Sequence, residues 1–141
     1  MSVRANMGAL KVGDSHRVSK TIAESDVYLF AGITGDFYPI HVDEEFAKGT
    51  RFQRRIAHGA LAVGMMSAAI GGLSLRVPPP GVVSMRYEVN FTAPIYFGDT
   101  ITAEVVVAEK HDERNEIILR ARATNQRGVT VMEGRTVQKI L

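Results

Sequence analysis

Asp36 and His41 are separated by four residues in the run Gly35-Asp36-Phe37-Tyr38-Pro39-Ile40-His41. A carboxylate and an imidazole are common partners for moving protons near neutral pH. Pro39 has no N–H to donate and pushes Tyr38 toward extended backbone. Gly35 permits a backbone shape that most residues avoid. The run therefore reads as a bent, locally stiffened loop that cannot be a regular helix, on which the two side chains can converge. The same residues also suit ordinary turn chemistry, with Asp36 capping backbone and His41 hydrogen-bonded at a loop's edge.

A second group follows. Ile56 to Gly72 has no polar stripe, and a helix that is apolar on every side is a buried helix. The run is short, interrupted by glycine and preceded by Arg51, Arg54 and Arg55, so a membrane span is not expected. His58-Gly59 opens it, where backbone N–H groups lack partners and the helix dipole is positive. The Gly59 N–H suits an oxyanion donor, because a glycine lets a ligand oxygen come close. His58 suits substrate contact or, more simply, capping and orienting the loop. Ser67 is polar on an otherwise apolar helix and suits either orienting Asp36 or His41 or bonding back to its own helix. The three arginines suit a phosphate-bearing ligand, or equally a solvated face. Asp36, His41, Asp43 and His58 form a chemically sensible ligand set, but a proline-bent loop lacks the helical spacing of such sites, so no metal is expected. Asp43 reads as the N-cap of a short helical turn.

The elements that must hold these groups can be read around them. Ala23 to Phe30, with apolar residues at Val27, Phe30 and the following Ile33 and with acids early, reads as a helix that delivers the chain to the Thr34-Gly35-Asp36 loop. Four strands are predicted after the apolar helix and its stiff Val77-Pro78-Pro79-Pro80-Gly81 exit: Val82–Ile95, Thr100–Glu109, Glu116–Thr124 and Val129–Lys139. An earlier strand spans His16–Ile22. In the second of the four, Ile101, Ala103, Val105 and Val107 alternate with polar residues; in the third, Ile117, Leu119, Ala121 and Ala123 do so. Gly134 inside the last strand signals a bulge or a close backbone contact. Residues 1–10 carry no periodicity and read as a loose arm, and His16 and His111 read as surface residues. A central helix plus antiparallel strands is an α+β class.

The chain has 141 residues, enough for one domain with a sizeable core, and no internal repeat or second domain is visible. A net charge of +2 with scattered charges is not the footprint of a nucleic-acid binder. With no cysteine, disulfides and thiolate metal sites are excluded. The first residues lack a long apolar stretch of the secretory kind, so a cytoplasmic location is expected.

The pattern Phe30-x-x-Ile33-Thr34-Gly35-Asp36-x-x-Pro39-Ile40-His41, then five residues and Ala47, resembles the signature of the MaoC-like family of (R)-specific enoyl-CoA hydratases. Ile56-Ala57-His58-Gly59 and Phe91-Thr92-Ala93-Pro94-Ile95-Tyr96-Phe97-Gly98-Asp99-Thr100 resemble that family's second and third landmarks, in the family's order. The likeness spans about residues 10–139. It implies a hot-dog fold, a curved antiparallel sheet wrapped around the helix, and a homodimer with a substrate tunnel near its interface. It implies that Asp36 and His41 activate water to hydrate trans-2-enoyl-CoA to an (R)-3-hydroxyacyl product, reversibly, with no cofactor. Coenzyme A would be the phosphate-bearing group near Arg51, Arg54 and Arg55. One departure stands out: the family usually has Asn where this chain has Tyr38, a ring beside the site. Two other readings remain open: an acyl-carrier-protein dehydratase or hot-dog thioesterase, and a non-catalytic acyl-thioester binder with Tyr38 blocking the site.

Overall fold

The computed structural model describes residues 3–141. Its strands are β1 (Ser15–Thr21), β2 (Val82–Phe91), β3 (Thr100–His111), β4 (Glu116–Thr124) and β5 (Thr130–Ile140), in one sheet of order β1-β3-β4-β5-β2 with every pairing antiparallel. The helices are α1 (Val3–Met7), α2 (Glu24–Thr34), α3 (Pro39–Val42), α4 (Glu44–Lys48) and α5 (Gly59–Ser74). The curved sheet packs on α5, and this is the hot-dog arrangement.

The alternation predicted for the third and fourth strands holds. Ile101, Ala103, Val105 and Val107 of β3 and Ile117, Leu119, Ala121 and Ala123 of β4 are all buried, as period-two side chains on one sheet face must be. They share a core with Ala62, Met66, Ala69 and Leu73 of α5. Each of the larger side chains contributes about 1.5–3 kcal/mol by leaving water. Asn115, in left-handed backbone at φ 54°, closes the β3–β4 turn.

Several expectations need correction. The helix that reads as buried on every side is covered on one side only: Ala60, Gly64, Ser67, Ala68 and Gly71 of α5 are exposed. One sheet covers one face of a helix, and nothing within a single chain covers the other. Residues 1–10 are not a loose arm where they are described. Met7 and Leu10 join the core, Asn6 Nδ2 donates to the Pro78 carbonyl at 3.3 Å, and the Lys110 ammonium donates to the carbonyls of Met7 and Leu10. Two apolar side chains, too few to establish a period, suffice to dock it. His16 and His111 are half-buried rather than open. His16 lies so close over α5 that a Cβ on Gly72 would meet its ring at 2.2 Å; His111 sits between Glu109 and Glu113 at 3.3 and 3.8 Å.

The strand expected to run to Ile95 stops at Phe91. Beyond it the chain bends, because Pro94 has no N–H for a ladder. Ile95 then accepts from Ala57 N–H at 2.8 Å, and Tyr96 pairs with Ile56 in a lone antiparallel bridge. That turn sets residues 91–97 beside the segment that enters α5.

Candidate active site

Asp36 is delivered by the end of α2. Ala23 N–H donates to the Asp26 carboxylate at 2.8 Å at the helix start, and Gly35 ends it in the left-handed region at φ 80°. A glycine there is the ordinary helix stop. The Thr34 hydroxyl donates to the Phe30 carbonyl at 2.7 Å and accepts from Asp36 N–H at 3.2 Å. The Asp36 carboxylate in turn accepts from Tyr38 N–H at 3.2 Å. Its side chain is about half exposed, so it can receive a small ligand.

His41 corrects the loop reading. Pro39–Val42 is a single helical turn, α3, with proline at its first position. Proline is excluded from helix interiors but suited to the first turn, where its missing N–H costs nothing. Tyr38 before it has the extended backbone that a following proline imposes, at φ −56° and ψ 132°. Asp43 caps the next turn as expected, accepting from Phe46 N–H at 3.0 Å.

The imidazole of His41 has a defined tautomer. Nδ1 lies 2.7 Å from the Ile56 carbonyl. A carbonyl can only accept, so Nδ1 carries the proton and Nε2 keeps a bare lone pair. His58, buried at the N-terminus of α5, stacks on this ring with centroids 3.8 Å apart and an interplanar angle of 27°. By the same logic His58 donates from Nε2 to the Asp36 carbonyl at 2.9 Å, which fixes the backbone that carries the carboxylate. Its Nδ1 is buried with no partner among the described residues. His58 thus touches the loop, in the orienting manner considered from sequence.

One nitrogen from each histidine and one oxygen of Asp36 lie within 4.8 Å of one another. A water bonded to two of them would span such a gap. The same three groups could formally hold a metal ion. In the tautomers set by the two carbonyls, each ring keeps one free nitrogen, Nε2 on His41 and Nδ1 on His58.

Beside His41 is a cavity of about 440 Å³ lined by His41, Gly59, Ala60, Phe91, Ile95 and Arg51, among others; Asp36 is not part of its lining. Gly59 is the first residue of α5, and no backbone acceptor outside the helix takes its N–H among the described residues. A Cβ on Gly59 would stand 3.0 Å from the Phe91 ring, so glycine keeps this corner open. Tyr38 is exposed and edge-on to both His41 and Phe46, at 6.4 and 5.9 Å.

Two candidates are not brought to the site in the expected way. Ser67 is exposed on the free face of α5 and makes no hydrogen bond to Asp36 or His41 among the described residues. Arg55 is not free for a phosphate: Nε donates to Glu44 at 2.7 Å and Nη1 to Glu24 at 2.6 Å. Arg51 lines the cavity, and Arg54 stands over the Tyr96 ring at 3.9 Å, both exposed. Sequence reading missed the Ile56 carbonyl, Thr34, and the Glu24–Tyr28–Arg55 contacts. A backbone carbonyl has no sequence signature, and the i, i+4 spacing of Glu24 and Tyr28 was the only hint of a shared face.

The proton affinity of His41 is lowered from the ordinary imidazole value. Burial penalises the cation first; the Ile56 carbonyl opposes this, His58 lowers the affinity further, and Asp36 opposes it. His58, Asp36 and Tyr38 are the titratable groups beside the ring among the described residues. Because the folded value is the lower one, the unfolded chain binds more protons just below the ordinary value. The stability due to a neutral His41 therefore declines as pH falls from the ordinary value through the folded one. An NMR titration of the ring in the folded protein is expected to give a midpoint below 6.5. A midpoint at or above the ordinary value would contradict this environment.

Comparison with known proteins adds the following. The family model described as MaoC like domain matches residues 9–128. The chain is 42% identical over 125 residues to an (R)-specific enoyl-CoA hydratase of Rhodospirillum rubrum, covering 89% of this chain and 84% of that one. It is 33% identical over 132 residues to an (R)-specific enoyl-CoA hydratase of Aeromonas caviae, covering 94% and 96%. Its fold matches the unliganded R-hydratase of Pseudomonas aeruginosa with a TM-score of 0.84 at 35% identity, over 95% of this chain and 84% of that one.

Proposed function

The chain belongs to the MaoC-like family, and from that premise we propose that it hydrates trans-2-enoyl-CoA to (R)-3-hydroxyacyl-CoA, and dehydrates the product in reverse, with Asp36 and His41 sharing the attacking water. The observation that carries this reading is the His41 ring, its Nε2 left bare by the Nδ1 bond to the Ile56 carbonyl, with one ring nitrogen and an Asp36 carboxylate oxygen within 4.8 Å of each other. Water hydrogen-bonded to both would lose one proton to the pair as its oxygen attacks C3. The proton returns to C2 on the same face, so the overall change is addition of one water. Because the two groups share that proton, acid and base are properties of the pair.

Negative charge builds on the thioester oxygen during attack. The Gly59 N–H at the start of α5 is oriented by the helix and adds the helix dipole. We assign it as the oxyanion donor, with His58 holding the Asp36 loop. The coenzyme's phosphates would meet Arg51 and Arg54, the two arginines of the trio not engaged by carboxylates. Tyr38 lies edge-on to His41 and outside the cavity lining, leaving the Gly59 side open.

The homodimer implied by the resemblance fits two free surfaces. β2 is an edge strand with Val83, Met85, Tyr87 and Phe91 exposed, and α5 has its uncovered face. The cavity borrows a residue from each, Phe91 and Ala60. A second copy on these surfaces would wall the cavity into a tunnel. No described helix is long and apolar enough to cross a membrane.

The test is loss of the enoyl-thioester absorbance when the protein is mixed with crotonyl-CoA and longer trans-2-enoyl-CoA substrates. The expected product has (R) configuration at C3. Failure to hydrate any chain length would overturn the reading, and release of free thiol instead would favour a thioesterase.

A further inference from the structure

The guanidinium of Arg55 joins segments that are distant in sequence. Nε donates to Glu44 at 2.7 Å; Nη1 donates to Glu24 at 2.6 Å and to the Tyr28 hydroxyl at 3.1 Å. Its Cζ stands 4.8 Å over the Phe97 ring. The Tyr28 hydroxyl passes the contact on, donating to the Val42 carbonyl at 3.0 Å. The Arg55 side chain is only 19% exposed. Its carboxylate partners are more open, Glu24 at 57% and Glu44 at 40%, so the guanidinium end of the cluster is shielded while the acids meet water.

The joined segments are those that surround His41. Val42 follows it directly, and Glu44 opens α4 two residues on. Glu24 and Tyr28 sit on α2, whose end carries Asp36. Arg55 itself precedes Ile56, whose carbonyl takes the His41 Nδ1 proton and whose N–H donates to Ile40 at 3.2 Å. Moving the Ile56 carbonyl away would free Nδ1 and let the proton sit on either nitrogen. A planar guanidinium with donors pointing in several directions can hold Glu24, Glu44 and Tyr28 together; an ammonium on a flexible stem cannot reproduce that fork.

We propose that Arg55 is a positioning residue for His41: its guanidinium clamps α2, α3, α4 and the Ile56 segment that enters α5, so that the imidazole keeps its proton on Nδ1 and presents a bare Nε2 to the water. The kinetic consequence rests on the hydratase reading above, whereas the tautomer is independent of it. Arg55 does not touch substrate in this arrangement.

The experiment uses the full chain labelled with 15N-histidine, comparing wild type, Arg55→Gln, Arg55→Lys and Tyr28→Phe. Two-bond 15N–1H spectra read the His41 tautomer at a pH where the ring is neutral. Wild type is expected to show a single Nδ1–H form, and Arg55→Gln a spectrum averaged between tautomers. With enoyl-CoA, Arg55→Gln is expected to lower kcat about 10-fold with KM within about twofold, as displacement of a reacting group does. Arg55→Lys should fall between the two. Tyr28→Phe removes only the relay to Val42 and should move the spectrum in the same direction by less; it keeps the test usable if Arg55→Gln does not fold. An unchanged Nδ1–H spectrum in the folded variants, with lowered Tm alone, would overturn the proposal and leave Arg55 as a stabilising ion pair. If wild type hydrates nothing, the function fails while the spectra still decide this inference.

Discussion

Asp36→Asn and His41→Ala are each expected to lower turnover at least about 100-fold, the size of effect that a positioned acid–base group has on a proton-transfer step. The two substitutions act differently. Asp36→Asn keeps the shape of the side chain and its acceptor for Tyr38 N–H, but the amide cannot take a proton from water. Its folding should be close to wild type, so lost activity would be chemical. His41→Ala removes the Nε2 lone pair proposed to accept from the attacking water and also the hydrogen bond to Ile56 at 2.7 Å. That bond links residues 15 apart in sequence, and its loss is expected to cost about 1 kcal/mol of stability. Steady-state rates with crotonyl-CoA, alongside thermal melts, separate the two effects. The double variant should be little slower than the worse single one, since a shared water cannot be activated by half the pair. Near-wild-type turnover in either single variant would remove that residue from the mechanism.

Gly134→Ala is expected to be the most damaging single methyl in the sheet. Gly134 lies on β5 opposite Val89 of β2. A Cβ there would fall 1.9 Å from the Glu88 carbonyl oxygen and 2.8 Å from the Val89 Cα. Both are backbone atoms of the paired strand, so no side chain can swing aside. The strands must part, breaking ladder hydrogen bonds at the free edge of the sheet. A loss of at least about 3 kcal/mol is expected, which for a chain of this size lowers Tm by roughly 10 °C. Gly32→Ala on α2 is the matched control. Nothing lies within 4 Å of its Cβ position, and Ala is the better helix former, so a gain of about 0.5–1 kcal/mol is expected. Circular-dichroism melts of the two variants read this directly. A Tm for Gly134→Ala within about 2 °C of wild type would show that the register is not as described. Because β2 also carries Phe91 to the cavity, the same variant should lose substrate binding before it loses α5.

The residues that do the proposed chemistry were legible because their types are rare together. Asp, Pro and His at fixed spacing, then His-Gly before an apolar run, marked the candidate groups; the resemblance to the MaoC-like family, rather than composition, implied the reaction and the hot-dog fold. Local rules supplied much more. Period-two alternation marked the buried faces of β3 and β4 correctly, Gly35 ended α2 in the left-handed region as its freedom allows, and Asp43 capped α4. Gly134 announced a close backbone contact, and the ladder has one. These succeed because they depend on neighbours along the chain, which a sequence contains.

What depended on contacts across the chain could be found only in the fold. The tautomer of His41 is set by a carbonyl, and all carbonyls look alike in a sequence. Arg55 could not be told from Arg51 and Arg54 until folding brought Glu24 and Glu44 to it and left the other two exposed. Ser67 stood out as the polar residue of an apolar helix, yet the sheet covers the opposite face and leaves it in the open. The first ten residues showed no period because a segment that docks through Met7 and Leu10 needs no period to bury them. Sequence by itself determined which groups are available and which backbone shapes are allowed; tertiary structure decided which of those groups meet, because meeting is a matter of distance between segments that the chain order does not encode.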